Sequence, residues 1–172
     1  DKEAFNRATS VYLVDRVIPM LPELLSNDLC SLKPSVDRLC FSVVFEITDS
    51  AKILNYKIVK TVIHSDKRFT YEEAQKNIDS SSGDFYPELL KLNSIAKILR
   101  VARKKSGSIN FEKEETRFKL DCNKNPIGVF VKPSLDTNKL IEEFMLLANK
   151  TVASHINQKI NNQAFVYRVH DQ

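Results

Sequence analysis

The strongest constraint on the fold is a change in hydrophobic period along the chain. From Phe41 to Thr48 apolar residues recur at every second position (FSVVFEIT), which is the pattern of a strand with Phe41, Val43, Phe45 and Ile47 on its covered face. The run 53–65 is rich in Ile, Val and Tyr and is predicted to pair with it as an antiparallel neighbour. From Leu89 to Ala102 apolar residues recur at helical spacing instead. The chain must therefore bury strands and helices together.

Local patterns predict the remaining elements. Thr70 and Glu73 form a capping-box pair, which predicts a short helix to about Ile78, and Pro87 suits the first turn of the next helix, which Gly107 ends. The other expectations are a loop at 79–84, strands at 108–120 and 127–132, a long helix at 136–159 and a short strand at 164–169. Strands outnumber helices and the connections are short. The predicted fold class is therefore α+β, with a mostly antiparallel sheet and two longer helices.

Composition excludes several classes of protein. Of 172 residues, 42% are hydrophobic and 28% are charged, which is ordinary for a globular domain. The net charge of +4 permits a polyanionic partner but is far from that of a charge-driven nucleic-acid tail. No apolar run is long enough to cross a membrane. Cys30, Cys40 and Cys122 form no CxxC or Cys/His pattern, which indicates reduced, buried thiols in a cytoplasmic protein.

A search for catalytic groups finds little. The three histidines, His64, His155 and His170, stand apart from one another at no metal-ligand spacing. The acidic groups are interpreted as solvated faces: Glu142–Glu143, Glu112, Glu114 and Glu115. A basic cluster ends the predicted helix at Arg100, Arg103, Lys104 and Lys105. Solvation and complementarity to the negative end of the helix are the favoured interpretation of this cluster, and a phosphate contact is the alternative.

Three aromatic residues are better placed for binding. Tyr12, Tyr71 and Phe111 each lie at or beside a predicted element boundary, flanked by polar or basic residues. Aromatic rings in such places can stack on unpaired bases, at about 1–3 kcal/mol per base. Packing in the core is the other interpretation, and composition and spacing alone favour it. The residues by themselves therefore indicate an α+β domain with hints of nucleic-acid binding.

Several blocks in order resemble the catalytic (RNB) domain of the ribonuclease II and ribonuclease R family. They are NRATSVY (6–12), VIPMLP (17–22), LSNDLCSL (25–32), VDRLC (36–40) and LIEEFMLLAN (140–149). NR-TSVY and VDRLC make the likeness closer to bacterial ribonuclease R. The resemblance covers nearly the whole chain and is loosest at 53–110.

The resemblance implies a processive 3′→5′ exoribonuclease that releases nucleoside 5′-monophosphates with the help of magnesium. Tyr12 matches the tyrosine that packs on the 3′-terminal nucleotide, and Phe111 matches the phenylalanine at the far end of the stacked bases. Tyr71 and Glu142 match the pair that senses the ribose and favours RNA over DNA. Glu143 is expected to be a solvated or cap-supporting residue.

The same resemblance implies that residues 1–172 are the central part of one catalytic domain. In the family, the aspartates that bind magnesium precede the NR-TSVY block, and the arginine of a Ser-Pro-Ile-Arg motif that grips phosphate follows the last block. We therefore expect the chain alone to hold no magnesium and to be inactive. The intact parent is expected to carry cold-shock and S1-type modules as well, to act in the cytoplasm and to bind the 3′ end of single-stranded RNA. The alternative is a non-catalytic RNA-binding relative.

Overall fold

The computed structural model describes residues 2–107, 115–159 and 164–167. Within these ranges the α-helices are α1 (Lys2–Arg7), α2 (Tyr71–Ser80), α3 (Tyr86–Lys105) and α4 (Asp136–Lys159), with a π-helix at Leu24–Leu29. The strands are β1 (Val11–Tyr12), β2 (Val17–Ile18), β3 (Asp37–Ile47), β4 (Ile53–His64), β5 (Glu115–Leu120) and β6 (Pro126–Lys132). The predicted α+β class is confirmed. In the described part of the chain its strands form three two-stranded hairpins, β1–β2, β3–β4 and β5–β6.

The chain divides into two compact units, each assembled from separated segments. The first comprises Asp1–Cys40, Thr61–Arg68 and Phe111–Ser134, and the second comprises Phe41–Lys60, Phe69–Asn110 and Leu135–Gln172. Strands β3 and β4 each contribute residues to both units. The first unit carries the β1–β2 and β5–β6 hairpins, and the second carries α2, α3 and α4.

In the first unit, the β1–β2 hairpin is tied to the proline segment that follows it. Val11 pairs with Ile18, and Tyr12 pairs with Val17. The Arg7 guanidinium donates a hydrogen bond to the Pro19 carbonyl at 2.7 Å. The Met20 backbone N–H donates to Ser10 Oγ at 3.0 Å. These bonds, together with the fixed φ of proline, hold the chain beside the hairpin in a defined path.

Asp28 connects the end of the π-helix to the start of β3. Its Oδ1 accepts from Lys33 Nζ at 2.7 Å and from Arg38 Nη2 at 3.2 Å. The hydrogen bond and charge of Lys33, followed by the charge of Arg38, lower the pKa of Asp28. The LSNDLCSL and VDRLC blocks therefore meet at one ionic cluster.

The second unit has its core where α2, α3 and α4 pack on one another. Its most buried apolar side chains come from all three helices: Ala74, Ile78, Ile95, Ala96 and Leu140. The capping box of α2 is present: Glu73 N–H donates to Thr70 Oγ1 at 3.1 Å, and Thr70 N–H donates to Glu73 Oε2 at 2.8 Å. The long C-terminal helix has the predicted bounds, Asp136–Lys159.

The connection from α2 to α3 is shorter than predicted, because α2 continues to Ser80. Gly83 has a φ of +96°, and a Cβ there would lie 2.7 Å from Asn77 Oδ1. Asn77 Nδ2 in turn donates to the Asp84 carbonyl at 3.0 Å. The positive φ therefore favours glycine here, and a Cβ would in addition force the Asn77 side chain to move.

Two strand predictions need correction. A short strand is predicted at 164–169, but residues 164–167, a continuous apolar run, are not in a strand; 168–169 lie outside the described residues. Phe41 was assigned to the covered face of β3, but it is 79% exposed, and Lys60 Nζ lies 5.7 Å from its ring centroid. Ser42 and Val43 are both partly buried, so the alternation changes phase at this point, and Val43, Phe45 and Ile47 keep the covered positions.

The cysteines are free, but they are not buried as predicted. Cys30 and Cys122 are exposed, and Cys40 is half-buried, with its Sγ 3.1 Å from Thr61 Oγ1. The first two lie at the end of the π-helix and in the β5–β6 turn, where little else covers them. In the ranges that the structure describes, no helix is long and apolar enough to cross a membrane.

Substituting Thr70→Ala should lower the free energy of unfolding by about 1 kcal/mol, because it removes the side-chain acceptor of the capping box. Urea denaturation followed by circular dichroism measures this change. Thr70→Ser keeps the hydroxyl and should retain most of the stability. Equal losses from both substitutions would contradict the capping role.

Candidate nucleic-acid interface

Tyr12 stands at the end of β1 in the first unit. Tyr12 is 79% exposed, and its backbone pairs with that of Val17 across the hairpin. Leu13 N–H donates to the Arg16 carbonyl at 2.8 Å, which closes the turn directly after it. A largely exposed aromatic residue on a hydrogen-bonded hairpin can offer a ring to a ligand at little further cost in backbone ordering.

Tyr71 is the first residue of α2 in the second unit and is 39% exposed. The capping box fixes the backbone immediately before it. The start of α4 fixes it from a second side, since Thr137 Oγ1 donates to the Tyr71 carbonyl at 3.0 Å and Thr137 N–H donates to Gln75 Oε1 at 3.2 Å. The main chain that carries Tyr71 is therefore held by hydrogen bonds to two segments.

A pocket of about 410 Å³ lies beside Tyr71 within the second unit. Its lining is mostly apolar with three hydroxyl groups: Phe69, Thr70, Tyr71, Ala74, Leu89, Thr137, Leu140 and Ile141. This volume is in the usual range for small-molecule sites. Ile141 directly precedes Glu142 on α4. The structure thus brings Tyr71 to the same pocket as the helical turn that carries Glu142.

Glu142 and Glu143 have very different surroundings. The Glu142 side chain is 55% exposed, whereas that of Glu143 is 4% exposed. Arg103 donates from Nε to both Glu143 oxygens, at 3.0 and 3.3 Å, and from Nη2 to Glu143 Oε1 at 2.6 Å. The same Nη2 donates to Glu142 Oε1 at 3.1 Å. The hydrogen bonding that Arg103 donates to the Glu143 carboxylate is the main cause of the raised pKa of Arg103.

These contacts correct two expectations. Glu143 was expected to be solvated, but it follows Thr137 and Leu140 at three-residue spacing, and these three are the buried residues of α4. That spacing places all three on one helical face. Arg103 was interpreted as part of a solvated basic helix end, but its side chain is only 18% exposed. The three-residue spacing from Leu140 is the sequence signal that indicates burial of Glu143. The charge of the glutamate side chain argued against that interpretation.

The other sequence candidates fall outside this arrangement. Phe111 and His170 lie outside the described residues. His64 Nδ1 lies 2.7 Å from Asp37 Oδ1, and His155 Nδ1 lies 3.1 Å from the Tyr56 hydroxyl. Over residues 2–107, 115–159 and 164–167, no three His, Cys, Asp or Glu side chains converge as a metal site requires. The described residues therefore do not fit the oxygen ligand set of a magnesium ion.

Comparisons with known proteins agree on one family. The RNB domain family model matches residues 1–172. The human exosome complex exonuclease RRP44 is 43% identical over 169 residues, covering 96% of this chain and 18% of that protein. Ribonuclease R 1 of Lactococcus lactis is 37% identical over 178 residues, covering 100% of this chain and 22% of that protein. The chain thus spans about a fifth of the length of these relatives.

A solved structure matches the fold over the same extent. Mycoplasma genitalium RNase R in complex with ribose-methylated single-stranded RNA superimposes with a TM-score of 0.88 at 31% identity. The match covers 99% of this chain and 27% of that one. The fold similarity therefore extends through both compact units.

Substituting Glu143→Leu should lower the free energy of unfolding by about 1–3 kcal/mol, because the partly buried Arg103 loses its main acceptor and keeps only the exposed Glu142 of this pair. The matched Glu142→Leu substitution at the exposed neighbour should cost no more than about 1 kcal/mol. Both are measured by urea denaturation. Equal, small effects would contradict the assignment of Glu143 as the buried partner.

Proposed function

Because this chain belongs to the RNB domain family, we propose that it is part of a processive 3′→5′ exoribonuclease, which hydrolyses single-stranded RNA to nucleoside 5′-monophosphates. The observation that carries the proposal is the match over nearly the whole chain to RRP44 and ribonuclease R proteins, each more than 30% identical. The RNA in the Mycoplasma genitalium RNase R complex supports RNA as the class of ligand.

Tyr12 is proposed to stack on the 3′-terminal base, and Phe111 to close the far end of the base stack. The exposure of Tyr12 and the fixed backbone of its hairpin support this role. Stacking accepts any base, because every base has a π-face. That property suits an enzyme that removes nucleotides without reading sequence.

Tyr71 and Glu142 are proposed to sense the ribose. A carboxylate can accept a hydrogen bond from the 2′-hydroxyl, a group that DNA lacks. Of the two adjacent glutamates, Glu142 is the exposed one, while Glu143 is buried against Arg103. This difference supports Glu142 as the residue available to a ligand.

The hydrolytic chemistry is proposed to depend on the rest of the parent protein. Residues 1–172 would be the central part of one RNB catalytic domain, and the magnesium ligands and the phosphate-gripping arginine would come from other segments. Cold-shock and S1-type modules of the parent would provide further RNA-binding surface. The parent is proposed to act in the cytoplasm. The residues described here would bind and orient RNA.

In the intact parent, Tyr12→Leu should weaken binding of a single-stranded RNA 3′ end by about 1–3 kcal/mol, or roughly 5–150-fold, because one base loses its stacking partner. Fluorescence anisotropy with a 5′-labelled oligonucleotide, without magnesium, measures the dissociation constant. Tyr12→Phe keeps the ring and should bind nearly as wild type. Phe41→Leu is the matched control at an aromatic residue of the same 79% exposure; if it weakens binding as much as Tyr12→Leu, the assignment of Tyr12 is wrong.

The 172-residue chain alone should release no mononucleotides from a 3′-overhang RNA with magnesium, under conditions in which the intact parent releases them steadily. Thin-layer chromatography of end-labelled RNA detects the product, and circular dichroism verifies that the chain is folded. Steady release of mononucleotides by the chain alone would contradict the proposal that hydrolysis depends on other segments of the parent. RNA binding without release by the intact parent would instead favour a non-catalytic RNA-binding relative.

A further inference from the structure

We propose that Arg103 is a positioning residue that fixes the Glu142 carboxylate for recognition of the ribose, and that buried Glu143 anchors it. The inference rests on the proposed role of Glu142 in sensing the 2′-hydroxyl. It adds two residues, Arg103 and Glu143, that would control the preference for RNA over DNA without contacting RNA.

The first step is the anchoring of the guanidinium. Arg103 lies in the last turn of α3 and Glu143 lies on the buried face of α4. Nε and Nη2 both donate to the same carboxylate, with the shortest bond at 2.6 Å. Charge-assisted bonds of this forked kind are strong and restrict the orientation of the arginine. Because Glu143 is 4% exposed, water competes little for these bonds.

In the second step, the fixed guanidinium of Arg103 orients the exposed Glu142 carboxylate. Nη2 donates to Glu142 Oε1 at 3.1 Å as well as to Glu143. A surface glutamate otherwise has considerable rotamer freedom, and ordering it costs up to about 2 kcal/mol. In the described part of the chain, Arg103 is the one residue seen to hydrogen-bond the Glu142 side chain. Among the described residues, none is seen to bond Glu142 Oε2, so this oxygen can accept a hydrogen bond from a ligand.

The third step concerns charge. Glu142 and Glu143 are consecutive, and their carboxylates share one guanidinium nitrogen. Without Arg103, two like charges would face each other and Glu142 would turn toward water. Lysine cannot reproduce this arrangement, since it is a point charge without the planar fork of arginine.

A purely structural role for Arg103 makes a different prediction. An arginine that only joins α3 to α4 would affect stability, and its loss would change activity on RNA and DNA by equal factors. A positioning role changes the ratio of the two activities. The RNA-to-DNA ratio of kcat/KM therefore separates the two roles.

The test uses the intact parent with RNA and DNA oligonucleotides of the same sequence. Arg103→Lys should lower the RNA-to-DNA ratio of kcat/KM by about tenfold, the equivalent of one charge-assisted hydrogen bond, while activity on DNA stays within about twofold. Adding Glu142→Ala to Arg103→Lys should cause little further loss, because both substitutions remove the same interaction. Lys97→Gln is the matched control: it removes an ion pair between α3 and α4, with Asp136 at 3.1 Å, and should leave the ratio unchanged.

A double substitution, Arg103→Met with Glu143→Leu, guards against loss of folding. Replacing both members of a buried ion pair with apolar residues is often neutral for stability. This variant should fold yet lose the RNA preference although Glu142 is intact. If it or Arg103→Lys keeps the wild-type ratio, the inference is overturned. If the wild-type parent shows no RNA preference, or Glu142→Ala does not reduce it, the proposed function of Glu142 fails instead.

Discussion

The ion pair between Arg103 and Glu143 is the interaction on which the organisation of the second unit depends. It joins α3 to α4 near the end of α3, in addition to the Lys97–Asp136 ion pair and the apolar core. A buried ion pair adds little net stability compared with apolar packing, because both charges must lose water. It does specify geometry, since the forked bonds form in only one alignment of the two helices. That alignment sets where Ile141 and Glu142 lie relative to the pocket beside Tyr71.

The two units would contribute differently to RNA recognition. The first offers an exposed aromatic residue, Tyr12, on a hairpin whose backbone is tied down. The second offers a pocket with hydroxyl groups and an oriented carboxylate. Stacking is tolerant of the base, whereas a hydrogen bond to a 2′-hydroxyl selects the sugar. In the proposed function, the stacking contact accepts any RNA sequence and the hydrogen bond to the ribose favours RNA over DNA.

The parts of the fold that sequence predicted well are those that short-range interactions determine. The capping box at Thr70 and Glu73 needs only residues three apart, and the bounds of α4 follow from its helical spacing. The exposure of Phe41 is not predictable from the alternation, because the buried and exposed positions of β3 exchange at Ser42 and Val43. That exchange depends on which parts of the protein pack against each face of the strand. Burial of Glu143 was missed because its partner lies 40 residues earlier in the chain. Residue patterns alone leave the aromatic candidates ambiguous. Their proposed roles rest on the resemblance to the family, and the structure adds the pocket that Tyr71 and Ile141 line.

The hydrogen bonds around the proline segment have a consequence for how this region can evolve. The acceptor at Pro19 is a backbone carbonyl and the donor at Met20 is a backbone amide, groups that nearly every residue provides. Only the side chains of Arg7 and Ser10 are specific to their positions in these two bonds. These two bonds therefore tolerate a change of side chain at position 20, whereas they do not tolerate the loss of the Arg7 or Ser10 side chain. Relatives should retain the arginine and the serine more strictly than the residue at position 20.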